Sequence, residues 1–176
     1  PVARGYRYTV PDWGRDRIGD FFNNIKEPVN FVNSILQGDV ESSFRSFWRF
    51  YVNSLFGVGG IYDVAGGFGL EEKPKDFSQT LALYGVHTGD YMVLPFLGPS
   101  TYRDFVGQLF DSFSDPTTYV SDGGASAAIN ALEVVDTREG LLDLTDDIEF
   151  NSFDPYATFK SGYLQSRKRE VLQTIE

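Results

Sequence analysis

The chain of 176 residues contains no cysteine and only one histidine, His87. Disulfide bonds are therefore excluded, and so is a zinc site built from cysteine and histidine ligands. Residues 57–69 contain six glycines, but no Gly-Lys-Ser/Thr follows them, as a phosphate-binding loop requires. A calcium loop of the D-x-D-x-D-G type is also missing, and the acidic segment over residues 141–149 is expected to form a short element or a solvated loop. The sequence thus predicts neither a metal site nor a cofactor.

Basic residues are scarce, with 15 Lys and Arg against 25 Asp and Glu and a formal net charge of -10. Nucleic-acid binding is disfavoured, because it depends on clustered basic side chains that neutralise phosphates. Docking on an anionic membrane surface by charge alone is disfavoured for the same reason. Contact with a membrane would have to be driven by apolar surface.

Long hydrophobic runs are also lacking. A helix that crosses a bilayer needs about 20 consecutive apolar residues. The best uncharged run covers residues 50–62, contains Asn53, Ser54 and three glycines, and stops at Asp63. No secretory leader is recognisable within the chain either.

Aromatic residues are abundant, with 16 Phe and 10 Tyr, and they make up 16% of the chain together with Trp. Two interpretations are open. The rings form a Phe-rich core, or they line an interface or a lipid boundary, where large apolar side chains are also common.

Apolar residues recur mainly at helical spacing, which predicts an all-α single domain over residues 1–176. No segment alternates long enough to predict a sheet. We expect an irregular arm over residues 1–11, a helix near residues 18–25, and a second helix that starts at Pro28 and stops at Gly38. Further along, we expect helical segments over 77–91, from a cap at Ser100 to 115, over 125–138 and from Pro155 onward, with a loop over 117–124.

Residues 39–56 form the most unusual predicted helix. Asp39 is expected to cap it, and apolar residues cover most of its circumference. Only a narrow polar stripe remains, made of Ser42, Ser46, Arg49 and Asn53. A helix of this type is either buried on several sides or sits in lipid, and its stripe must face polar groups.

Four charged residues lie in apolar neighbourhoods, namely Arg49, Asp63, Arg103 and Asp104. Such charges must form ion pairs or reach water. They are therefore either structural ion pairs that fix helix packing or the polar lining of a passage. In the second interpretation, the lining also includes Asn33, Asn53, Gln79 and Lys160.

An ordered set of motifs runs through the chain. VN-x-x-LQG occupies residues 32–38, RF-x-x-N 49–53, G-x-GG-x-x-DVA 57–65, and DF-x-QTL 76–81. YGV-x-x-G-x-Y-x-x-LP-x-x-GPS-x-x-RD follows at 84–104, and DPYA-x-x-K-x-x-YLQ-x-R at 154–167. In their order and spacing, over residues 18–169, these motifs resemble the MlaA/VacJ family of outer-membrane lipoproteins.

This resemblance implies a ring-like helical domain with an amphipathic central channel, lying in the inner leaflet of the outer membrane on its periplasmic side. Such proteins bind trimeric porins, remove mislocalised phospholipids from the outer leaflet and pass them to a periplasmic carrier protein. The resemblance also implies that no residue is catalytic and that no ATP is used. It further predicts a leader and a lipidated cysteine upstream, so Pro1 is expected to lie inside the mature protein. A flexible hairpin beside the channel would correspond to residues 117–124, with Gly123 and Gly124 as hinges.

Two alternatives remain open. A porin-binding scaffold that conducts no lipid would fill its polar stripe with packed side chains. A lipid hydrolase would require contact between Ser100 and His87, although Ser100 does not lie in the G-x-S-x-G motif of hydrolases.

Overall fold

The computed structural model describes residues 1–95, 98–119 and 123–175, and over these residues the chain is mostly helical. The helices are α1 Val2–Thr9, α2 Asp12–Leu36, α3 Val40–Phe56, α4 Val64–Gly67, α5 Phe77–Leu83, α6 Tyr102–Ser114, α7 Gly123–Gly140, α8 Leu142–Asn151 and α9 Pro155–Ile175. Two short strands, β1 Tyr91–Leu94 and β2 Gly98–Thr101, and a 3-10 turn at Pro116–Tyr119 complete the described structure.

A long antiparallel pair of helices, α2 and α3, forms the centre of the fold. The prediction that Pro28 begins a new helix is wrong, because α2 continues through it from Asp12 to Leu36. Proline removes one helical hydrogen bond, but packing against α3 keeps both halves of α2 in line. Before Pro28, Asn24 donates to Ser54 and Glu27 accepts from Arg49; after it, the Phe31 ring lies 6.2 Å from the Phe47 ring of α3. The turn between the helices follows the prediction, since Gly38 has a φ of 73° and the Asp39 carboxylate accepts from the backbone N–H of Ser42 at 2.9 Å.

The polarity of α3 is inverted relative to a helix of a water-soluble protein. Its polar stripe (Ser42, Ser46, Arg49 and Asn53) is almost completely buried, with Arg49 only 2% exposed. Its apolar side chains face outward, and Phe44 is 62% exposed. The side chains exposed with it are those of Val40, Phe47, Trp48, Phe50, Tyr51, Leu55 and Phe56. The stripe therefore contacts the interior of the protein. The wide apolar arc is largely exposed, with Phe47 at its edge 6.2 Å from the Phe31 ring of α2.

The same inversion extends over the rest of the described chain. Among the described residues, five buried side chains are apolar and twenty are polar or charged. Large apolar side chains such as Phe110, Phe150 and Tyr156 are exposed instead. The aromatic residues thus form an outer surface, and the Phe-rich core that composition left open is not present in the described residues.

A β-hairpin was missed by the periodicity argument. β1 and β2 pair antiparallel with Tyr91 opposite Thr101 and Leu94 opposite Gly98. The helix expected over residues 77–91 is correspondingly short, because Gly85, with a φ of 83°, follows the end of α5. Ser100 lies in β2, and the cap of α6 is its neighbour Thr101, whose hydroxyl accepts from the backbone N–H of Asp104 at 3.2 Å.

The first residues form helix α1, so the prediction of an irregular arm over residues 1–11 is wrong. Ion pairs and hydrogen bonds to α7 and α8 hold this helix in place. Arg4 bonds to Asp146 at 2.8 Å, Arg7 bonds to Glu139 and Asp143, and the Tyr6 hydroxyl donates to Asp136 at 2.8 Å. Two residues of α2 form further ion pairs, Arg15 with Glu139 and Lys26 with Glu133. We call the five acceptors of α7 and α8 the acidic row; they are Glu133, Asp136, Glu139, Asp143 and Asp146.

α7 depends on this acidic row, because no described residue of the helix is buried. The expected hinges Gly123 and Gly124 are the first two residues of α7 rather than the end of a loop. Residues 120–122 of the expected hairpin lie outside the described residues. The acidic segment predicted as a loop or short element over 141–149 belongs to helix α8.

Within the described ranges, no helix combines the length and the apolar content needed to cross a bilayer.

We expect Arg7→Glu to loosen α7, because the variant places a carboxylate beside Glu139 and Asp143 in the acidic row. Hydrogen exchange of the α7 amides should become faster, and the difference from wild type should shrink at high salt, which screens exposed charges. Adding Asp143→Arg should restore part of the protection, because the new cation can pair with the introduced carboxylate.

Arg169→Glu, on an exposed part of α9, is the matched control, since Arg169 forms no ion pair within the described structure. Unchanged exchange in α7 for Arg7→Glu would show that the helix is held by something other than the acidic row.

Candidate functional site

The polar interior contains two charged clusters, and the first surrounds Arg49. Its guanidinium lies against the carboxylate of Glu27, which is completely buried, and 3.3 Å from Asp63. It also donates to the backbone carbonyl of Leu70. Asn53 completes this Arg49 cluster, because its amide donates to Asp63 at 3.0 Å and accepts from the backbone N–H of Ala65 at 2.8 Å. The cluster therefore ties α2, α3 and α4 together.

Close approach of the backbone supports the Arg49 cluster. Gly60 has a φ of 95°, and a Cβ at this position would come within 2.4 Å of the Asn24 amide. Only glycine fits at such a site without displacing its neighbour. The glycine-rich segment thus serves tight packing of α2 against the chain that follows α3.

The second cluster surrounds Asp104 at the start of α6. This carboxylate accepts hydrogen bonds from Ser78, from Thr101 and Tyr163 at 2.7 Å each, and from Arg167 at 3.1 Å. Burial disfavours ionisation of Asp104, but these hydrogen bonds and the positive charge of Arg167 outweigh it and hold its pKa below the ordinary value. The Asp104 cluster connects α5, α6 and α9.

A chain of hydrogen bonds leads from α2 into α5 and α6. The Gln37 amide donates to the Thr80 hydroxyl at 2.9 Å, and this hydroxyl donates to Asn33 at 3.0 Å. Asn33 then donates to the Asp111 carboxylate at 2.7 Å, and the backbone N–H of Phe77 donates to the same carboxylate at 3.0 Å. Burial raises the pKa of Asp111 to about 6, although these two donors oppose the shift.

A cavity of about 590 Å³ opens beside these clusters. It lies between the loop at residues 72–76, the start of α5 and the last turns of α9. Charged and polar side chains form most of its wall, including Asp39, Gln79 and Arg167. Its size is within the range of small-molecule pockets, but its wall is far more polar than most.

The structure brings most of the predicted lining residues into the interior. Asn33, Arg49, Asn53, Gln79 and Arg103 are buried, and Asp63 is half-buried. Arg49, Asn53 and Asp63 share one cluster, Asn33 belongs to the hydrogen-bonded chain, and Gln79 lines the cavity. Lys160 is separate, because it is exposed on α9 with its ammonium 5.7 Å from the centre of the Tyr91 ring. Whether any of these side chains contacts a ligand stays a prediction.

Several interior residues were missed from sequence, chiefly Glu27, Lys75, Tyr163 and Arg167. Glu27 and Arg49 are 22 residues apart and Asp104 and Arg167 are 63 apart, so no local pattern connects them. A usable signal existed for Tyr163 and Arg167, because both belong to the DPYA-x-x-K-x-x-YLQ-x-R motif.

Ser100 and His87 are not brought into contact. The Ser100 hydroxyl is buried in β2 and donates to the backbone carbonyl of Thr101 at 3.3 Å, whereas His87 is exposed in the loop before β1. No hydrogen bond joins these two side chains within the described residues, so the contact required by the hydrolase alternative is not formed there.

Comparison with known proteins identifies the family. A family model described as "MlaA lipoprotein" matches residues 1–170. The chain belongs to the MlaA lipoprotein family. A protein of Escherichia coli K12 named "Intermembrane phospholipid transport system lipoprotein MlaA" is 37% identical to it over 168 residues, covering 94% of this chain and 66% of that protein. An uncharacterised protein of Rickettsia bellii is 36% identical over 172 residues, covering 97% of this chain and 68% of that protein.

A solved structure shares the fold of this MlaA-family chain, with a TM-score of 0.84 and 35% sequence identity. The match covers 97% of this chain and 86% of the solved one, which is described as "Structural basis for maintenance of bacterial outer membrane lipid asymmetry". The inverted arrangement of polar interior and apolar exterior therefore occurs on a fold that this MlaA-family member shares with a structure described in terms of outer-membrane lipid asymmetry.

Arg49→Met should destabilise the MlaA-family fold strongly, because it leaves the buried Glu27 carboxylate without its cation. Removing one partner of a buried ion pair costs about 3–5 kcal/mol. Denaturant unfolding in mild detergent measures this cost, and adding Glu27→Gln should recover part of it.

Arg45→Met is the matched control for this variant, one helical turn earlier in α3. Arg45 pairs with Glu41 near the surface, where such pairs contribute about 0.2–1 kcal/mol. A similarly small cost for Arg49→Met, combined with loss of lipid passage, would favour the lining role over the structural ion pair.

Asp111 should make stability depend on pH. Its folded pKa of about 6 lies above the ordinary value of 3.8, so between these values the folded chain holds a proton that the unfolded chain releases. Its contribution to stability is present below about pH 4 and is lost as pH rises through about 6. The unfolding free energy of the wild type should fall by about 2 kcal/mol over this range because of Asp111, since one pKa unit equals about 1.4 kcal/mol. The variant Asp111→Asn should not show this decrease.

Unfolding free energies of wild type and Asp111→Asn at pH 4, 5, 6 and 7 test this expectation, with the exposed Asp90→Asn as control. Parallel pH profiles for wild type and Asp111→Asn would contradict it.

Proposed function

We propose that this chain moves phospholipids through a passive amphipathic channel in a ring of helices at the inner leaflet of the outer membrane. In this proposal it removes phospholipids mislocalised in the outer leaflet and passes them to a periplasmic carrier protein, while bound to a trimeric porin. Lipid asymmetry of the outer membrane is thereby maintained. The observation that carries the proposal is the inverted polarity, with apolar residues outside and charged residues inside.

The physical problem is that a phospholipid has two incompatible parts. Each CH₂ group moved from an apolar environment into water costs about 0.8 kcal/mol, so two free acyl chains in water are prohibitive. A charged headgroup in hydrocarbon is also costly unless it is paired. A transporter must therefore offer an apolar and a polar environment at the same time.

The structure supports this division of roles. The exposed arc of α3 provides apolar surface, and a groove of about 310 Å³ lined by Phe31, Ile35, Phe44 and Phe47 lies between α2 and α3. The Arg49 and Asp104 clusters supply charges of both signs in the interior. No covalent bond changes during transfer, so the proposal needs no catalytic residue.

The names and descriptions of the relatives agree with this proposal. The Escherichia coli relative is named for an intermembrane phospholipid transport system, and the solved structure is described in terms of lipid asymmetry. The porin, the carrier protein, the leaflet and the direction of transfer rest on the resemblance alone.

The test is lipid transfer from vesicles that contain the purified protein to a soluble lipid-binding acceptor, followed by mass spectrometry of the lipid. We expect intact phospholipid bound to the protein and protein-dependent transfer. The variant Phe44→Glu/Phe47→Glu should lose vesicle association by at least about tenfold and lose transfer with it, because each Phe contributes about 1.5–3 kcal/mol when buried in an apolar environment.

Phe44→Leu/Phe47→Leu is the matched control, since it keeps these positions apolar and should retain both properties. Lysophospholipid or free fatty acid in the products would favour the hydrolase alternative. Absence of bound lipid and of transfer, even with a porin added, would favour the scaffold.

A further inference from the structure

The cavity of about 590 Å³ contains charges that the protein does not neutralise itself. We call it the Lys75 cavity, after one of the side chains in its wall. On its α9 side the charged side chains are paired within the protein, because Arg167 bonds to Asp76 at 2.8 Å and also pairs with Glu170. On its loop side, formed by residues 72–75, the pairing within the described residues is loose or missing.

Lys75 is buried but only loosely paired. It is 7% exposed, yet its ammonium lies 3.4 Å from the Asp39 carboxylate and 3.3 Å from the Thr174 hydroxyl. Charge-assisted hydrogen bonds of this type are normally about 2.7–2.9 Å long. The loop itself is fixed, because the backbone N–H of Lys75 donates to Asn30 of α2 at 3.0 Å. The ammonium is thus held at the cavity wall with capacity for a stronger acceptor.

Glu72 and Lys73 add one free charge of each sign. Both line the Lys75 cavity, and neither forms an ion pair within 4.0 Å in the part of the chain that the structure describes. Burial, with the negative charge of Glu27, raises the pKa of the Glu72 carboxyl above its ordinary value. A cation entering the cavity would counter both effects.

We propose that the Lys75 cavity binds a zwitterionic headgroup, with its phosphate on Lys73 and Lys75 and its ammonium on Glu72; this inference rests on the proposed function. A phosphodiester carries one negative charge and accepts hydrogen bonds from both ammonium groups. A neighbouring ammonium on the same headgroup pairs the carboxylate that the protein leaves free. The ligand class is therefore an aminophospholipid headgroup of the phosphoethanolamine type.

The same charges disfavour a net-anionic headgroup. A phosphoglycerol group can form the two lysine contacts, but it has no ammonium to pair with the Glu72 carboxylate. Its phosphate therefore places a negative charge near Glu72 without a compensating positive charge. An unpaired, partly buried charge is costly. The Lys75 cavity should therefore discriminate between headgroups that share the same phosphate.

The test measures binding of three soluble probes to the full chain in mild detergent by NMR titration, namely glycerophosphoethanolamine, glycerophosphoglycerol and inorganic phosphate. We expect the ethanolamine probe to bind at least about fivefold more tightly than the glycerol probe. Lys75→Gln and Lys73→Gln should each weaken both organic probes by about tenfold, since one charge-assisted hydrogen bond contributes about 1.5–3 kcal/mol. Glu72→Gln should abolish the preference and leave phosphate binding intact.

Lys168→Gln on α9, exposed and outside the Lys75 cavity, is the matched control and should change nothing. Lys73 is exposed, so its variant keeps the test decisive if Lys75→Gln does not fold. Equal binding of the two organic probes, or a preference that survives Glu72→Gln, overturns the proposal. Binding of inorganic phosphate as tight as that of the ethanolamine probe shows an anion site and also overturns it.

Lipid transfer separates failure of this inference from failure of the proposed function. Wild type should transfer phosphatidylethanolamine faster than phosphatidylglycerol from otherwise identical vesicles, and Glu72→Gln should equalise the two rates. Equal wild-type rates would overturn the headgroup assignment while transport stands. Absence of any transfer would overturn transport, and probe binding would then decide the assignment of the cavity alone.

Discussion

The ion pair between Arg49 and Glu27 is the interaction on which the rest of the fold depends. It is buried at the contact of α2 and α3, and through Asp63 and the Leu70 carbonyl it also fixes α4 and the start of the loop that leads to α5. A buried charge is tolerated only when its partners are in place. The four segments must therefore assemble together, because each supplies a group that the others need.

The inverted polarity links this constraint to the proposed function. Helices in water are held mainly by apolar contact, but here many contacts between helices are hydrogen bonds and ion pairs, such as those of Asp104 with Tyr163 and Arg167. In the membrane setting of the proposed function, surrounding hydrocarbon would make such bonds hard to replace, since no solvent would compete for the donors. The polar contacts inside the protein are thus strongest when its apolar exterior excludes water from them.

Sequence reasoning succeeded where a local rule applied. The Asp39 cap, the end of α6 at Asp115 and the polar stripe of α3 all follow from capping and from helical periodicity. It failed at α1, at Pro28 and at the β-hairpin, where contacts with distant segments decide the conformation. For the Arg49 cluster, the sequence predicted one partner of the central ion pair and missed the other. Periodicity marks Arg49 as a charge in an apolar helix, but it cannot identify Glu27, 22 residues away, as its partner.

The exposed face of α3 has a consequence for how the chain folds. In water, hydrophobic collapse would bring Phe44, Trp48 and Leu55 together and turn Arg49 outward, which is the reverse of the native arrangement. The route that most chains take to a compact state therefore leads this chain toward a misfolded one. In contact with an apolar phase, these side chains gain no free energy by packing against one another, so the native topology is favoured. A membrane surface would therefore act as a folding chaperone for this protein.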